Sequence, residues 1–136
     1  FKFVNYFLDE IKKSQGSIVF ISSIASLKNL GAPLGYVSSK LFLNFYSKFL
    51  ANKLAEYNVR VNNVIPGNIY FKGGAWDKKI KKNPKTIKKM IKNKVPLGRF
   101  GKPEEVANLV TFLLSSRSSF MTGAEIVIDG GQIIKK

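Results

Sequence analysis

Short apolar runs alternate with longer stretches of helical periodicity along this chain. Residues 1–14 place Phe3, Phe7 and Ile11 four residues apart, which predicts an amphipathic helix. Residues 17–22 form a continuous run of mainly apolar, β-branched character, which is typical of a strand buried on both faces of a parallel sheet. Similar patterns predict a helix over 36–57, a strand over 59–65, a helix that starts at Pro103 and a strand over 124–128.

The alternation of helices and strands predicts βαβ units, and therefore an α/β fold with a parallel sheet and right-handed crossovers. In such a sheet the strands end at one edge, and ligands bind there. Ser23, Pro66-Gly67 and Gly130-Gly131 follow the three predicted strands. We therefore expect these residues to lie along one edge of the sheet.

The 136 residues include neither cysteine nor histidine. This composition excludes disulfides, thiolate metal sites and the Ser-His and Cys-His catalytic arrangements, and we expect no metal. No apolar run reaches the roughly 20 residues that a membrane-spanning helix needs, and no signal peptide is visible. We therefore expect a cytoplasmic protein without a membrane partner.

Positive charge is concentrated in residues 70–95, which hold ten lysines and one acid, Asp77, in a chain of formal net charge +15. Ile80, Ile87 and Ile91 have the spacing of short amphipathic helices, so we predict an exposed helical lid beyond the second strand. Three interpretations of these lysines are open. They form a solvated face, they attract an anionic substrate, or they bind nucleic acid. Because nucleic-acid modules interleave aromatic or arginine residues and the chain has only three arginines, we expect no nucleic-acid partner.

Tyr36 and Lys40 are four residues apart and therefore lie on the same face of the predicted helix. A nearby ammonium favours the phenolate and lowers the pKa of a tyrosine, which then exchanges a proton closer to neutral pH. The pair predicts proton transfer at an alcohol or carbonyl oxygen. A Tyr-x-x-x-Lys pair is common by chance in a lysine-rich chain, so this interpretation depends on the surrounding motifs.

Those motifs resemble the classical short-chain dehydrogenase/reductase family, whose most familiar members are 3-oxoacyl-carrier-protein reductases. The resemblance covers nearly the whole chain. It is carried by IVFISS with Ser23, Tyr36 and Lys40 after the family's usual spacing, VRVNNVIPGNI, VPLGRFGKPEEVANLVTFLLS and MTGAEIVIDGG. It implies the C-terminal part of a doubly wound, Rossmann-like parallel-sheet fold, with residues 1–136 as one partial domain and a helical lid at about 70–95.

The resemblance also implies a role for each matching residue. Tyr36 would be the general acid and base, Ser23 would hydrogen-bond the reacting oxygen, and Lys40 would hold the nicotinamide ribose hydroxyls. The cofactor, NADP or NAD, would contact Tyr36 and Lys40, together with Pro66, Gly67 and Ile69. A small-molecule or carrier-linked carbonyl substrate and a homodimer or homotetramer are implied as well.

Two departures from the family pattern stand out. The Gly-rich phosphate-binding turn is absent from this sequence, and the family's catalytic asparagine would precede Phe1. We therefore expect a longer protein with a preceding cofactor-binding half, and an inactive fragment without it. Phe71 stands where the family often has a cofactor-contacting threonine, which predicts a more apolar entrance to the lid.

Two alternatives to a 3-oxoacyl-thioester reductase remain open. The Asn68-Ile69-Tyr70-Phe71 segment and the basic lid also suit a sugar or sugar-nucleotide dehydrogenase of the same family. The chain could instead be a non-catalytic assembly fragment that associates through the helix at 36–57 and the segment 103–131. In each case we expect Ser22 to have a structural role, and Asn62 and Asn63 to be satisfied polar groups beside helices or at a subunit contact.

Overall fold

The computed structural model describes residues 2–135. The longer elements are α1 (Lys2–Tyr6), α2 (Leu8–Ser14), β1 (Ser17–Ile21), α3 (Leu34–Leu54), β2 (Arg60–Pro66), α4 (Ala75–Lys82), α5 (Pro84–Lys94), α6 (Pro103–Leu114) and β3 (Glu125–Ile128). Three short 3-10 turns follow β1, α3 and α6, at Ile24–Ser26, Ala55–Tyr57 and Ser116–Ser118.

The element boundaries differ from the predicted ones in physically clear ways. The helix predicted over 1–14 is two helices, because Phe7 leaves helical geometry with φ −98° and ψ 11°. Phe1 and the side chain of Phe3 lie outside the described part of the chain. The helix predicted from residue 36 begins at Leu34, directly after Pro33, whose extended backbone precedes the first turn. Its last predicted turn is a 3-10 turn.

The three strands form one parallel sheet in the order β1-β2-β3. Ser17 pairs with Arg60 at one end of the first ladder, and Ile21 pairs with Val64 at the other. The second ladder runs from Asn63 beside Glu125 to Pro66 beside Ile128. The predicted α/β class with a parallel sheet is therefore confirmed.

The core lies between the sheet and the second half of α3. Leu50 and Leu54 of that helix pack with Val59 and Val61 at the start of β2. Leu54 and Val61 are fully buried. Burial of such side chains contributes about 1.5–3 kcal/mol each, so this contact holds α3 firmly against the sheet.

Hydrogen bonds from Arg60 join the sheet to α6. The Arg60 guanidinium donates to the carbonyls of Leu113, Ser115 and Met121 around the end of α6. These groups are left without partners when a helix ends, and a cation favours that end. Arg60 thus joins the amino end of β2 to α6.

Residues 70–101 leave the sheet and return to almost the same point. The Tyr70 N–H donates to the Gly101 carbonyl at 2.9 Å, and the Gly101 N–H donates to the Asn68 carbonyl at 3.0 Å. Between these bonds lie α4 and α5, where the sequence predicted short helices. Both ends of the helical segment are therefore fixed beside the carboxyl end of β2.

Candidate active site at the carboxyl ends of the strands

Ser23 follows β1 and begins the 3-10 turn at Ile24–Ser26. Its hydroxyl accepts from the Ala25 N–H at 3.3 Å, so it acts as the cap of that turn. Its side chain is half-buried, at the edge of the sheet where β1 ends. The position agrees with the predicted site, and the capping bond shows that the residue also has a local structural role.

Tyr36 and Lys40 lie in the first two turns of α3, on the same face. The Lys40 ammonium lies 5.8 Å from the centre of the Tyr36 ring. The same ammonium donates to the Ile21 carbonyl at 2.9 Å, at the last residue of β1. Lys40 thereby links the tyrosine to the strand end that precedes Ser23.

Tyr36 is 44% exposed. Within residues 2–135, no hydrogen bond joins its hydroxyl to Ser23 or to another side chain. The structure thus brings Tyr36 and Lys40 into contact and places both beside the end of β1, without a direct bond from tyrosine to serine. Catalytic hydrogen bonds are often loose before a substrate is bound.

Pro66 and Gly67 end β2, next to the strand end that carries Ser23. The Gly67 N–H donates to the Ile128 carbonyl at 2.9 Å. A side chain at Gly67 would meet the Asp129 Cα at 2.7 Å, so the close approach of two backbones requires glycine here. Ile69, two residues on, forms an isolated parallel bridge with Gly101. The backbone that was predicted to face the cofactor is therefore held in place from two sides.

A buried polar cluster lies directly beneath these residues, and sequence reasoning did not find its centre, Asn44. The Asn44 Oδ1 accepts from the Ser22 hydroxyl at 2.5 Å and from the Asn63 Nδ2 at 2.9 Å. Its Nδ2 donates to the Ser26 hydroxyl at 2.9 Å. Ser22, expected to be structural, is part of this cluster. Asn44 follows Lys40 by one turn, and that spacing was the available signal.

Asn62 and Asn63 are adjacent in β2 and differ in how fully their amide groups are hydrogen-bonded. Asn62 is satisfied as predicted: its Nδ2 donates to the Met121 carbonyl at 2.7 Å and its Oδ1 accepts from the Ala124 N–H at 3.1 Å. Asn63 donates to Asn44, but its Oδ1 is buried without a partner in the described residues. Within this chain the expectation therefore holds for the Nδ2 of Asn63 and not for its Oδ1, and the subunit contact stays a prediction.

Asp77 is the acid at the start of the basic segment and is 5% exposed. It accepts from the Lys81 ammonium at 2.8 Å, the Gly73 N–H at 3.0 Å and the Tyr70 hydroxyl at 3.0 Å. The hydrogen bonds from Lys81 and Gly73 lower the pKa of the Asp77 carboxyl to about 2. Asp77 therefore fastens the turn after Tyr70 to α4.

The other end of the segment is fixed by a second acid. Glu105 accepts from Arg99 through both carboxylate oxygens, at 2.9 and 2.7 Å. It also accepts from the Lys102 N–H at 2.8 Å, which caps α6. The Arg99 guanidinium, with that backbone bond, lowers the pKa of the Glu105 carboxyl to about 2.

The cavity beside Ile69 is small, about 80 Å³. It is lined by Asn68, Ile69, Leu97, Arg99, Gly101, Glu105, Ile128, Asp129 and Gly130. Binding pockets for small molecules usually measure about 300–1,000 Å³, so this cavity alone could not enclose a dinucleotide. Within residues 2–135, no cluster of three acidic, histidine or cysteine side chains could hold a metal ion, and no helix has the length and apolarity to cross a membrane.

Comparison with known proteins agrees with the motifs at the strand ends. The family profile described as enoyl-(acyl carrier protein) reductase matches residues 1–132. A 3-oxoacyl-(acyl-carrier-protein) reductase from Thermotoga maritima is 40% identical over 124 residues, which are 91% of this chain and 48% of that protein. The chain belongs to the classical short-chain dehydrogenase/reductase family.

Solved structures of this family superpose on the chain. An NADPH-bound short-chain oxidoreductase from Pseudomonas aeruginosa gives a TM-score of 0.84 at 27% identity, covering 94% of this chain and 50% of that one. A 4-hydroxyisoleucine dehydrogenase in complex with NADH also gives 0.84, at 28% identity, covering 98% and 54%. The chain therefore has the fold of a Rossmann-like short-chain dehydrogenase/reductase and spans about half the length of its relatives.

Phe71, the departure from the family motif, is 55% exposed beside this edge. Its ring packs against the backbone of Gly74, where an added side chain would come within 2.8 Å of it. The aromatic ring therefore has a defined place at the start of the basic segment. The expected loss of a threonine contact at this position remains a prediction.

Proposed function

We propose that this chain is the C-terminal half of an NAD(P)(H)-dependent oxidoreductase that interconverts a secondary alcohol and a ketone. The observation that carries the proposal is the position of the Lys40 ammonium, 5.8 Å from the Tyr36 ring and bonded to the Ile21 carbonyl. This geometry places a partly exposed phenol and a fixed ammonium at the edge of the sheet where α/β proteins bind ligands. A complete site needs a cofactor-binding half that precedes these residues.

The residues present fit the nicotinamide end of NADP or NAD. An ammonium has three N–H donors, and Lys40 uses one on Ile21. The two remaining donors suit the two ribose hydroxyls. The backbone at Pro66, Gly67 and Ile69 provides the adjoining edge, since it is held rigidly beside β3 and Gly101. Preference between the two cofactors is left open by this proposal.

The bound cofactor supplies or accepts the hydride. During reduction, the electron pair of the carbonyl bond moves onto the substrate oxygen. Tyr36 donates the proton that this oxygen needs, and Ser23 donates a hydrogen bond that stabilises the developing charge. During oxidation the proton returns to Tyr36.

Replacing Tyr36 with Phe in the complete protein tests the proposal. We expect kcat to fall by about 10²–10⁴, the usual contribution of a general acid, while the Kd of the cofactor changes little. Tyr57→Phe is the matched control, because Tyr57 also lies under a lysine, with the Lys12 ammonium 4.4 Å from its ring. Unchanged turnover of the Tyr36→Phe variant would refute the proposed chemistry.

The preferred substrate is a 3-oxoacyl thioester or another carrier-linked or small carbonyl compound, and we propose that residues 70–95 form the lid over it. The relative from Thermotoga maritima and the lysines of the segment support this choice. A sugar or sugar nucleotide is the second candidate, favoured by the exposed rings of Tyr70 and Phe71. Reduction of acetoacetyl thioesters supports the first substrate, and oxidation of sugars alone supports the second.

Assembly into a homodimer or homotetramer is part of the proposal. The exposed face of α3 carries Leu41, Phe42, Phe45 and Phe49, each between 49% and 71% exposed. An apolar patch of this kind often marks a protein interface. Sedimentation of the wild type and of Phe45→Lys tests this surface. Assembly without binding of NADH or NADPH would instead favour the non-catalytic alternative.

The expected cytoplasmic location is a separate part of the proposal. Cell fractionation tests it.

A further inference from the structure

A network of buried polar groups lies between the backbone of Lys40 and the backbone of Ser23. The Ser22 hydroxyl has one proton to share between two acceptors, the Lys40 carbonyl at 3.1 Å and the Asn44 Oδ1 at 2.5 Å, and its oxygen lies 3.4 Å from the Ser26 oxygen. On the other side, the Asn44 Nδ2 donates to the Ser26 hydroxyl at 2.9 Å, and that hydroxyl donates to the Ser23 carbonyl at 2.6 Å. Asn44 thus connects two arms of the network. The Ser22 arm leads to Lys40, and the Ser26 arm leads to Ser23.

The donors and acceptors of the cluster fix the orientation of the Asn44 amide. A hydroxyl has one proton, and Ser26 uses its proton on the Ser23 carbonyl, so it can only accept from Asn44. The Asn63 Nδ2 donates to the Asn44 Oδ1 at 2.9 Å. A reversed amide would place two NH₂ groups against each other there. The cluster therefore has one favoured arrangement.

Asn44 is a buried residue of α3 that follows the exposed first turn of the helix. It is 8% exposed, whereas Leu34 in the first turn is 80% exposed and Tyr36 is 44% exposed. Residues 36, 40 and 44 share one face of the helix at four-residue spacing. The buried Asn44 amide therefore lies one turn after the half-buried Lys40 and two turns after the exposed Tyr36.

We propose that Asn44 is a positioning residue whose two arms act on different steps: the Ser22 arm sets Lys40 for cofactor binding, and the Ser26 arm sets Ser23 for the reaction. This inference rests on the proposed function, which gives Lys40 and Ser23 those roles. A cluster with only a structural role would affect folding stability without separating the two steps. Steady-state kinetics of the complete protein can tell these cases apart.

The test uses two single variants that each cut one arm. Ser22→Ala should raise the KM of the cofactor about fivefold with kcat nearly unchanged, the factor expected from one lost hydrogen bond. Ser26→Ala should lower kcat by about fivefold or more and leave the cofactor KM nearly unchanged, because a small displacement of a catalytic group slows the reaction. Ser26→Thr keeps the hydroxyl and should restore kcat.

Ser47→Ala is the matched control. Ser47 is also buried on α3, 2% exposed, and its hydroxyl donates to a backbone carbonyl, that of Asn44, at 2.9 Å. It takes no part in either arm, so neither kinetic constant should change. Asn44→Leu should affect both constants, and the two serine variants carry the test if this variant fails to fold.

The outcomes separate this inference from the proposed function. If Tyr36→Phe retains turnover, the proposed function fails and the positioning roles fail with it. If Tyr36→Phe is inactive but Ser22→Ala and Ser26→Ala both match the wild type, the positioning role alone is refuted. The same kinetic change in Ser22→Ala, Ser26→Ala and Ser47→Ala would also refute it, because the effect would then be general destabilisation.

Discussion

The cluster beneath the candidate site and the start of the basic segment both bury polar groups, but with different chemistry. Asn44 and Asn63 of the cluster are neutral amides, as is the neighbouring Asn62 outside it, and the bonds around them are to hydroxyls, amides and backbone. Asp77 is an ionised carboxylate held by Lys81 and two neutral donors. A neutral network is unaffected by pH across the range in which carboxylates titrate, whereas a carboxylate network weakens in acid. The comparison predicts that the stability of the candidate site and that of the basic segment respond differently to pH and salt.

We expect the largest loss of stability from removal of a buried neutral amide, that of Asn62. Asn62→Ala leaves the Ala124 N–H without its partner and leaves the Met121 carbonyl with only the longer 3.4 Å bond from Arg60, at a position that is 0% exposed. Each buried orphan costs about 1–3 kcal/mol, so thermal and urea unfolding should show a large decrease. Asn52→Ala, on the exposed side of α3, should change the free energy of unfolding by no more than about 0.5 kcal/mol. Equal effects would contradict the importance of the buried amide.

A smaller loss is expected at Gly67. The added methyl group of Gly67→Ala would lie 2.7 Å from the Asp129 Cα, so the backbone at the ends of β2 and β3 must move apart. Such overpacking costs about 1–3 kcal/mol. Gly35→Ala is the control, because no atom lies within 4 Å of its added methyl group and alanine favours the helix. Denaturant unfolding should show opposite signs for the two variants.

Asp77→Asn tests the charged side of the comparison. The pKa of this carboxyl is about 2 in the folded chain and 3.8 ordinarily, so its contribution to stability is full above about pH 4 and disappears as the pH falls towards 2. The melting temperature of Asp77→Asn should therefore be below that of the wild type at pH 6, with the gap closing in acid. Asp9→Asn, at an exposed site on α2, should show no such gap. A difference in melting temperature between Asp77→Asn and the wild type that does not change with pH would refute the stabilising role of the ionised Asp77 carboxylate.

The smallest effect is expected from the lysines of α5. Lys85, Lys88, Lys89 and Lys92 are exposed, without an ion pair among residues 2–135, and repeat at helical spacing. Like charges at this spacing destabilise a helix by about 0.2–0.5 kcal/mol per pair. Changing all four to Gln should slightly raise the melting temperature at low salt and not at high salt. The same change at Lys13 and Lys53 should have less effect, because those residues are far apart in sequence.

Sequence patterns predicted most of the fold, because apolar periodicity is local. The three strands and the helices at 36–57 and 103 onward appear within two or three residues of their predicted bounds. The break at Phe7 could not be predicted, since the apolar spacing continues through it. Residue spacing also found the Tyr36 and Lys40 pair, but not Asn44, whose partners Ser22 and Asn63 come from distant parts of the sequence. Such a cluster exists only after the strands pair.

The bond between Tyr70 and Gly101 has a consequence for how the family could diversify. Because the chain leaves and rejoins the sheet at one point, residues 71–100 form a closed excursion, in which Ile91 and Val95 are buried and the Leu97 N–H donates to the Gly130 carbonyl. Doubling the length of such a loop costs only about 0.6 kcal/mol in closure entropy. Changes of length in its exposed turns would leave Tyr36 and Lys40 where they are, whereas residues 91–97 must keep their buried contacts. The exposed part of the segment can therefore vary in length and sequence at little cost to folding.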